Sequence, residues 1–298
     1  MNIVLGNIYL LGACVVWATA LSLFKRAGKG VDAMGLNTVK NSVGLLFALA
    51  WVFVSGGWNA GDSFPAIGAM ALAGAIGMGL GDSLFLRAVQ TIGVGAATVG
   101  ILSTPLFALL FEATFLGYRP LPIHLFGIAL VLLGVRLALG GKDPIKASQE
   151  RGIDPKSGAM LVLGAAVLMA AGQVMVRWSF DISPEWSLAT STAVRVGAGV
   201  VGLFLFSGPR KSFSRAMAPG PHRPLILWGG LLGTGIGMAL YQAGARLTRA
   251  TMVGAIGATV PLFAIPIAFW IASEKPKKGI LAGALVAITG TALLFLPS

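Results

Sequence analysis

The sequence has little charge, little histidine and almost no cysteine. Charged residues make up 11% of its 298 residues, whereas roughly a quarter is usual in a soluble domain. Cys14 is the one cysteine, which excludes a disulfide framework and a cysteine-based metal site. The chain shows no cluster of His, Asp or Glu near one end of its apolar runs, as metal-dependent or acid–base chemistry requires. We therefore expect no enzyme, no metal and no cofactor.

Long apolar runs take the place of charge. Hydrophobic residues make up 56% of the chain, and these runs are continuously apolar, whereas the strands of a membrane barrel alternate. A membrane-spanning helix needs about 20 apolar residues. The sequence therefore predicts an all-α polytopic membrane protein with ten transmembrane helices and no soluble domain. The predicted spans lie at roughly residues 3–24, 33–55, 65–87, 93–116, 121–140, 158–178, 186–207, 224–245, 250–272 and 279–296.

The net charge of +12 comes from Lys and Arg residues that are scattered over the loops between spans. A nucleic-acid-binding protein gathers its basic residues on one module, so we expect no nucleic-acid partner. Most of these residues lie in the first, fifth, seventh and ninth loops. The positive-inside rule makes those loops cytoplasmic and places both termini on the periplasmic side. No Lys or Arg precedes the first apolar run, so that run is interpreted as a retained helix and not as a signal peptide.

The chain repeats itself at a fixed distance. The segment GAIGMGLG at Gly74 returns as GLLGTGIG at Gly230, and PLFA at Pro105 returns at Pro261, both 156 residues later. Such an offset indicates two copies of one unit, at residues 2–140 and 157–298, joined by a linker at 141–156. Each copy holds five predicted spans. Because five is odd, the second copy enters the membrane from the opposite side, which predicts two inverted five-helix repeats.

The repeated glycines and prolines are candidates for helix packing and gating. Gly77 and Gly81, with their counterparts Gly233 and Gly237, lack the side chains that keep helices apart. They predict close-packed faces on the third and eighth spans, with a sliding or hinge role as the alternative.

Pro105 and Pro261 lie near the middle of the fourth and ninth spans. Each leaves the carbonyl four residues earlier, at Ile101 or Gly257, without its helical donor. A kink at this point either opens a cavity or is a static bend. Three hydroxyl groups are close enough to supply the missing donor, those of Ser103, Thr104 and Thr259.

Two segments resemble a known family of membrane proteins. They are STPLFALLFEATFLGYRP from Ser103 and ATVPLFAIPIAFWIASEKP from Ala258. With ten predicted spans in two copies, the chain resembles the EamA-type members of the drug/metabolite transporter superfamily over its whole length. Within them it looks most like the YddG-type exporters of amino acids, aromatic ones included. Tyr118 departs from the pattern, since an acidic residue is common there.

The resemblance implies a function and a way of working. Its members export solutes across the bacterial inner membrane by alternating access, through a central cavity lined by helices other than the fifth and tenth. Because the duplication already supplies both halves of such a transporter, a monomer in the lipid bilayer is expected.

Lys40 and Arg195 are cations inside predicted spans, at matched positions of the second and seventh. A charge at such a depth costs a few kcal/mol on insertion scales unless it snorkels or finds a partner. Two interpretations stay open: the cations bind a substrate carboxylate, or they pair with a carbonyl or an acidic group. Lys40 is near enough to the span end to snorkel.

Aromatic and amide side chains inside spans are further candidates for the cavity. Trp17 lies well inside the first span, where it either contacts the substrate or fills the bundle. The other six tryptophans lie near span ends and are interpreted as interfacial anchors. Three polar residues are added for hydrogen bonding to the substrate, namely Gln173, Tyr241 and Gln242.

Acidic residues are scarce inside the spans. Only Asp82 and Glu112 of the ten acidic residues lie there, neither at the midplane, and Asp82 is about one turn from Arg87. No proton carrier is obvious, so the predicted function is facilitative export of amino acids or similar small metabolites. The alternative is efflux of lipophilic or cationic drugs by proton antiport, which favours a central carboxylate. A passive structural protein is the third possibility.

Overall fold

The structure is a computed structural model that describes residues 3–27, 31–59, 63–115, 121–139, 155–184, 186–207, 210–247, 256–273 and 278–294. Residues 141–154 of the predicted linker lie outside this part. In chain order the helices are α1 Ile3–Ala27, α2 Ala33–Val54, α3 Phe64–Ala73, α4 Asp82–Ile92, α5 Val94–Gly100, α6 Thr104–Phe115, α7 Pro122–Leu139, α8 Pro155–Ile182, α9 Leu188–Ser207, α10 Arg210–Met217, α11 His222–Gly230, α12 Met238–Leu247, α13 Val260–Ala272 and α14 Lys278–Leu294.

The described residues form helices joined by turns and short irregular segments, with no strand among them, which confirms the predicted all-α class. Seven stretches are long and apolar enough to cross a membrane: Val4–Ala27, Ala33–Val54, Phe64–Ile92, Val94–Phe111, Lys156–Ile182, Leu188–Leu205 and His222–Gly244. Three shorter apolar helices, Pro122–Ala138, Val260–Ala272 and Lys278–Leu293, lie in the fifth, ninth and tenth predicted spans. At 1.5 Å per residue, a 17-residue helix covers about 26 Å of an apolar layer about 30 Å thick. The chain is a multi-pass membrane protein, and the count of ten spans stays a prediction.

Local signals account for several helix boundaries. The Asp32 carboxylate accepts a hydrogen bond of 2.8 Å from the Gly35 amide and caps α2, and the Ser63 hydroxyl caps α3 at the Ala66 amide. Gly93 separates α4 from α5 with a φ of 92°, a conformation that side chains disfavour. These short polar or glycine signals stand out in the apolar sequence, which explains why the span limits were readable within a few residues.

Both glycine repeats form π-helical turns, which the sequence interpretation did not predict. The first π segment is Gly74–Gly81, between α3 and α4, and the second is Leu231–Gly237, between α11 and α12. Glycine is a poor helix former, and π turns commonly mark functional sites. The predicted third and eighth spans therefore contain a widened turn at the repeated glycines instead of a regular α-helix.

A kink in the middle of an α-helix, which the sequence predicts at each repeated proline, is not observed. A short 3₁₀ turn, Ile101–Ser103, separates α5 from α6, and Pro105 lies in the first turn of α6. Pro261 likewise lies in the first turn of α13. The first turn tolerates proline because its amides have no helical acceptor. The chain thus starts a new helix at each repeated proline, and Pro266 is the proline inside α13.

The two copies make reciprocal contacts at their π segments. A side chain at Gly74, where the first π segment begins, would overlap the backbone carbonyl of Arg195 on α9. Its counterpart Gly230 faces α2, where an added Cβ would lie 3.1 Å from the Lys40 Cα. The cations at matched sequence positions thus lie against each other's glycine segment. Such self-complementary contacts are those of a two-fold relation.

The same reciprocity holds for α1 and α8. An added Cβ at Gly12 would lie 3.5 Å from Leu240, and one at Gly164 would lie 3.4 Å from Leu84. Leu84 and Leu240 are 156 residues apart, the offset of the glycine repeat, whereas Gly12 and Gly164 are 152 apart. The four-residue difference shows that the chain lengthens or shortens between the first and third spans of the copies.

The fifth and last helices of the repeat pair with each other. In α7 an added Cβ at Gly134 would lie 2.6 Å from the Gly283 carbonyl oxygen of α14, and one at Gly290 of α14 would lie 2.6 Å from that of Gly127. Gly127 and Gly134 match Gly283 and Gly290 at the 156-residue offset. Small residues allow these two backbones to approach closely without a polar contact.

Candidate functional site

An aromatic pair joins the first helix to the second copy. The indole N–H of Trp17 on α1 donates a hydrogen bond of 3.0 Å to the Gly233 carbonyl oxygen in the second π segment. The ring of Trp17 lies 5.3 Å from that of Tyr241 on α12, between centroids, with the planes tilted by 37°. Gly237 faces the indole, because an added Cβ there would lie 2.7 Å from Trp17. Two of the predicted cavity residues are therefore in direct contact.

Gln242, next to Tyr241, is tied to α9. Its amide NH₂ group donates to the Thr192 hydroxyl, and its amide oxygen accepts a hydrogen bond of 3.1 Å from the Ser191 hydroxyl. All three side chains are buried. Sequence reasoning missed Ser191 and Thr192, although three hydroxyl residues in a row at Thr190–Thr192 are conspicuous inside an apolar helix.

Arg195 lies one turn further along α9, and only 9% of it is exposed. Its Nη1 lies 3.7 Å from the Met238 sulfur, a weak acceptor. Its Nε has no hydrogen-bond partner within the described residues. Because Met238 is the first residue of α12 and Tyr241 follows one turn later, α12 brings Arg195 next to the Trp17–Tyr241 pair. We call Trp17, Arg195, Met238, Tyr241 and Gln242 the α12 cluster.

Lys40 is buried and paired, so it does not snorkel. Its ammonium group forms an ion pair with the Asp82 carboxylate at the start of α4. Their side chains are 8% and 22% exposed. Asp82 therefore pairs across the bundle with Lys40 and not with Arg87, which is exposed. Of the two interpretations of Lys40, the structure favours pairing with an acidic group.

Two asparagines that sequence reasoning missed hold the first π segment. The Asn37 amide donates to the carbonyl oxygens of Met78 and Gly79, at 2.9 Å each. It also lies 2.8 Å from the Ser83 hydroxyl, and the Asn41 amide reaches the Met78 carbonyl oxygen at 3.2 Å. The carbonyls of a widened turn need hydrogen-bond donors from the protein inside a membrane, because no water is present there. Burying two amide side chains one turn apart in an apolar helix costs free energy. The presence of Asn37 and Asn41 in such a helix was therefore the sequence signal that could have identified them.

The hydroxyl groups near the prolines serve their own turns. Thr104 donates to the Ile101 carbonyl oxygen at 2.7 Å, as predicted, and Ser103 to that of Gly100 at 2.8 Å. Thr259 donates to the Ile256 carbonyl oxygen at 2.6 Å and not to that of Gly257. These contacts relieve the breaks before α6 and α13, so the structure does not bring the three hydroxyls into the α12 cluster.

Two further expectations change with the structure. Trp186, interpreted as an interfacial anchor, is fully buried and packs in a cluster with Ala66 and Met70. Gln173 is exposed on α8 and forms no hydrogen bond to the α12 cluster in the described part. The side chain of Glu112 lies outside the described residues. Among those that are described, no group of three or more His, Cys, Asp and Glu residues is placed to hold a metal ion.

Apolar spanning helices and a duplicated unit with reciprocal contacts define a multi-pass membrane protein built from two repeats, an architecture that many secondary transporters share. The model of the EamA-like transporter family matches residues 4–140 and again residues 156–296. The chain belongs to the EamA-like transporter family. Membership makes it a membrane transporter of small solutes, not an enzyme, and the family description names no particular solute.

Structural comparison agrees with this fold. A solved structure titled "Crystal structure of protein" aligns with a TM-score of 0.64, over 97% of this chain and 95% of that one. The two sequences are 16% identical, so this likeness concerns the fold alone. No curated protein matches the sequence.

Proposed function

We propose that this protein exports amino acids, aromatic ones included, or similar small metabolites across the bacterial inner membrane. The observation that carries the proposal is the α12 cluster, where an aromatic pair, a buried arginine and a hydrogen-bonded amide meet at the contact between the two copies. Apolar pockets with a few placed polar groups are typical of small-molecule sites. The aromatic side chain of a solute can stack in such a place, while the polar groups of the same solute contact the amide and the arginine.

Alternating access follows from the duplication. If the two copies take slightly different conformations, exchanging those conformations converts an outward-facing cavity into an inward-facing one. The faces that would slide are the π segments against α1, α2, α8 and α9. The proposal includes a monomer, because both halves are present in one chain, and periplasmic termini, because the basic loops favour the cytoplasm.

The placement of the charged residues inside the bundle favours facilitated transport over proton antiport. The alternative of drug efflux favours a free carboxylate at the centre, yet Asp82 is engaged by Lys40. A lipophilic cation that approached the α12 cluster would also meet the charge of Arg195. We therefore propose movement down the solute gradient, without an ion.

Counterflow in proteoliposomes tests this function. Vesicles preloaded with unlabelled solute should accumulate the same radiolabelled amino acid, and the signal should be unchanged when a pH gradient is imposed or abolished. A panel of amino acids, sugars and cationic dyes sets the solute class, and empty liposomes provide the control. Uptake of dyes alone, or uptake that requires a pH gradient, would refute the proposal.

A further inference from the structure

The reciprocal contacts of the two copies make one asymmetry visible. Lys40 and Arg195 occupy matched positions, and Asp82 matches Met238 at the 156-residue offset of the glycine repeat. In the first copy the cation faces a carboxylate, whereas in the second the cation faces the Met238 thioether. The place that holds an acidic side chain opposite Lys40 thus holds a neutral one opposite Arg195.

Arg195 is left with unused donors inside the bundle. A guanidinium group carries five N–H donors, and the structure gives Arg195 one long contact to sulfur and a buried Nε without an acceptor among the described residues. Asp82 acts on Arg195 electrostatically, but its hydrogen bond goes to Lys40. A buried charge without a close counter-charge is destabilising, so an arginine in this state favours any ligand that brings a carboxylate.

We propose that Arg195 binds the carboxylate of the transported solute, in the place where the first copy has its own acidic side chain. The planar guanidinium donates two parallel hydrogen bonds to a carboxylate, a bidentate geometry that lysine cannot match. This inference rests on the proposed function for the amino-acid identity of the solute, but the carboxylate site itself does not depend on it.

The neighbours of Arg195 define the rest of the solute. Tyr241 and Gln242 follow Met238 by three and four residues, so all three share one face of α12. The Trp17–Tyr241 pair offers an aromatic surface beside the guanidinium. The substrate class is therefore a small monocarboxylate with an apolar or aromatic group. Met238 belongs to this face, and its flexible thioether can adapt to different shapes.

Binding of matched acids and amides to the purified full-length protein tests the assignment. The probes are phenylalanine and phenylalaninamide, and then 3-phenylpropionate and 3-phenylpropionamide, which lack the α-amino group. Wild-type protein should bind each acid at least about tenfold more tightly than its amide, which corresponds to about 1.4 kcal/mol. Arg195→Gln should bring each ratio close to one, whereas Arg195→Lys should retain part of it.

A second test variant covers the case in which Arg195→Gln folds poorly, and a third variant serves as a control. Met238→Asp gives Arg195 an internal carboxylate like that of the first copy, so it should abolish the preference for acids while raising the melting temperature. Arg177→Gln, at an exposed arginine, is the matched control and should leave every ratio unchanged.

The outcomes separate the inference from the proposed function. Wild-type protein that binds no acid more tightly than its amide, or a folded Arg195→Gln or Met238→Asp protein with the wild-type ratio, would overturn the Arg195 site. Binding of 3-phenylpropionate as tight as that of phenylalanine would support the carboxylate site and refute a preference for amino acids. Preference for both acids over their amides, with phenylalanine bound more tightly than 3-phenylpropionate, would support both.

Discussion

Gly74→Ala should leave little or no folded protein, because the new methyl group has no space. Its Cβ would overlap the Arg195 carbonyl oxygen on α9, a backbone atom that cannot rotate away. Overpacking of a core costs about 1–3 kcal/mol and occasionally more, and an overlap with backbone belongs at the upper end. Thermal unfolding of the purified protein, followed by size-exclusion chromatography, measures the loss.

Substitutions at two other glycines provide comparisons for Gly74→Ala. Gly230→Ala places its Cβ 3.1 Å from the Lys40 Cα, so it should lower the melting temperature less than Gly74→Ala does. Gly68 lies in α3, the helix that leads into Gly74, and a Cβ added there has no neighbouring atom within 4 Å. Gly68→Ala should therefore be neutral or slightly stabilising. If Gly74→Ala were as stable as Gly68→Ala, the close packing of the first π segment on α9 would be wrong.

Asp82→Asn should destabilise the protein by about 3–5 kcal/mol, the usual effect of removing one partner of a buried ion pair. The variant leaves the Lys40 ammonium group buried without its counter-charge. Replacing both residues, as Lys40→Met with Asp82→Met, removes the uncompensated charge and should recover most of the loss. Melting temperatures of the single variants Lys40→Met and Asp82→Met and of the double variant give the coupling between the residues.

An exposed ion pair provides the matched control for the Asp82 variant. Arg177 and Asp181 lie one turn apart on α8, 3.9 Å between charged atoms, with side chains 53% and 68% exposed. Asp181→Asn should therefore change the melting temperature little, since exposed pairs contribute about 0–1 kcal/mol. A double variant no more stable than Asp82→Asn would contradict a structural role for the Lys40–Asp82 pair.

The all-α class and the duplication could be predicted from the sequence because their signals repeat along the chain. Apolar runs give the helices, and the 156-residue echo gives the duplication, since both depend on patterns along the chain. The consequences of individual residues were harder to predict. Pro105 and Pro261 lie inside long apolar runs, and only the structure shows that each starts a new helix after a break.

The candidate site was predictable as a set of residues and not as a set of contacts. Trp17, Arg195, Tyr241 and Gln242 were identified because each is unusual inside an apolar helix. Their partners lie far away in sequence, such as Gly233 for Trp17, and that choice depends on helix packing. The same holds for Lys40, whose counter-charge is 42 residues away, while a closer cation, Arg87, competed for Asp82 in the sequence interpretation.

The alternating access proposed above requires the two copies to move against each other at the π segments. Gly81 of the first π segment faces Leu168 of α8, with an added Cβ 3.4 Å from the Leu168 Cβ. That separation is close to the roughly 3.5–4.5 Å between Cβ atoms in a disulfide. A Gly81→Cys, Leu168→Cys protein, with Cys14→Ala to remove the native thiol, can therefore be cross-linked across this contact.

Counterflow by this double-cysteine protein, before and after oxidation, is the most direct measurement. We expect amino-acid counterflow in the reduced protein, its loss on disulfide formation and its return on reduction. Each single-cysteine variant, treated with the same oxidant, should keep its activity. Full-rate counterflow by the cross-linked protein would contradict movement of the first π segment against α8, and with it the account of how this transporter works.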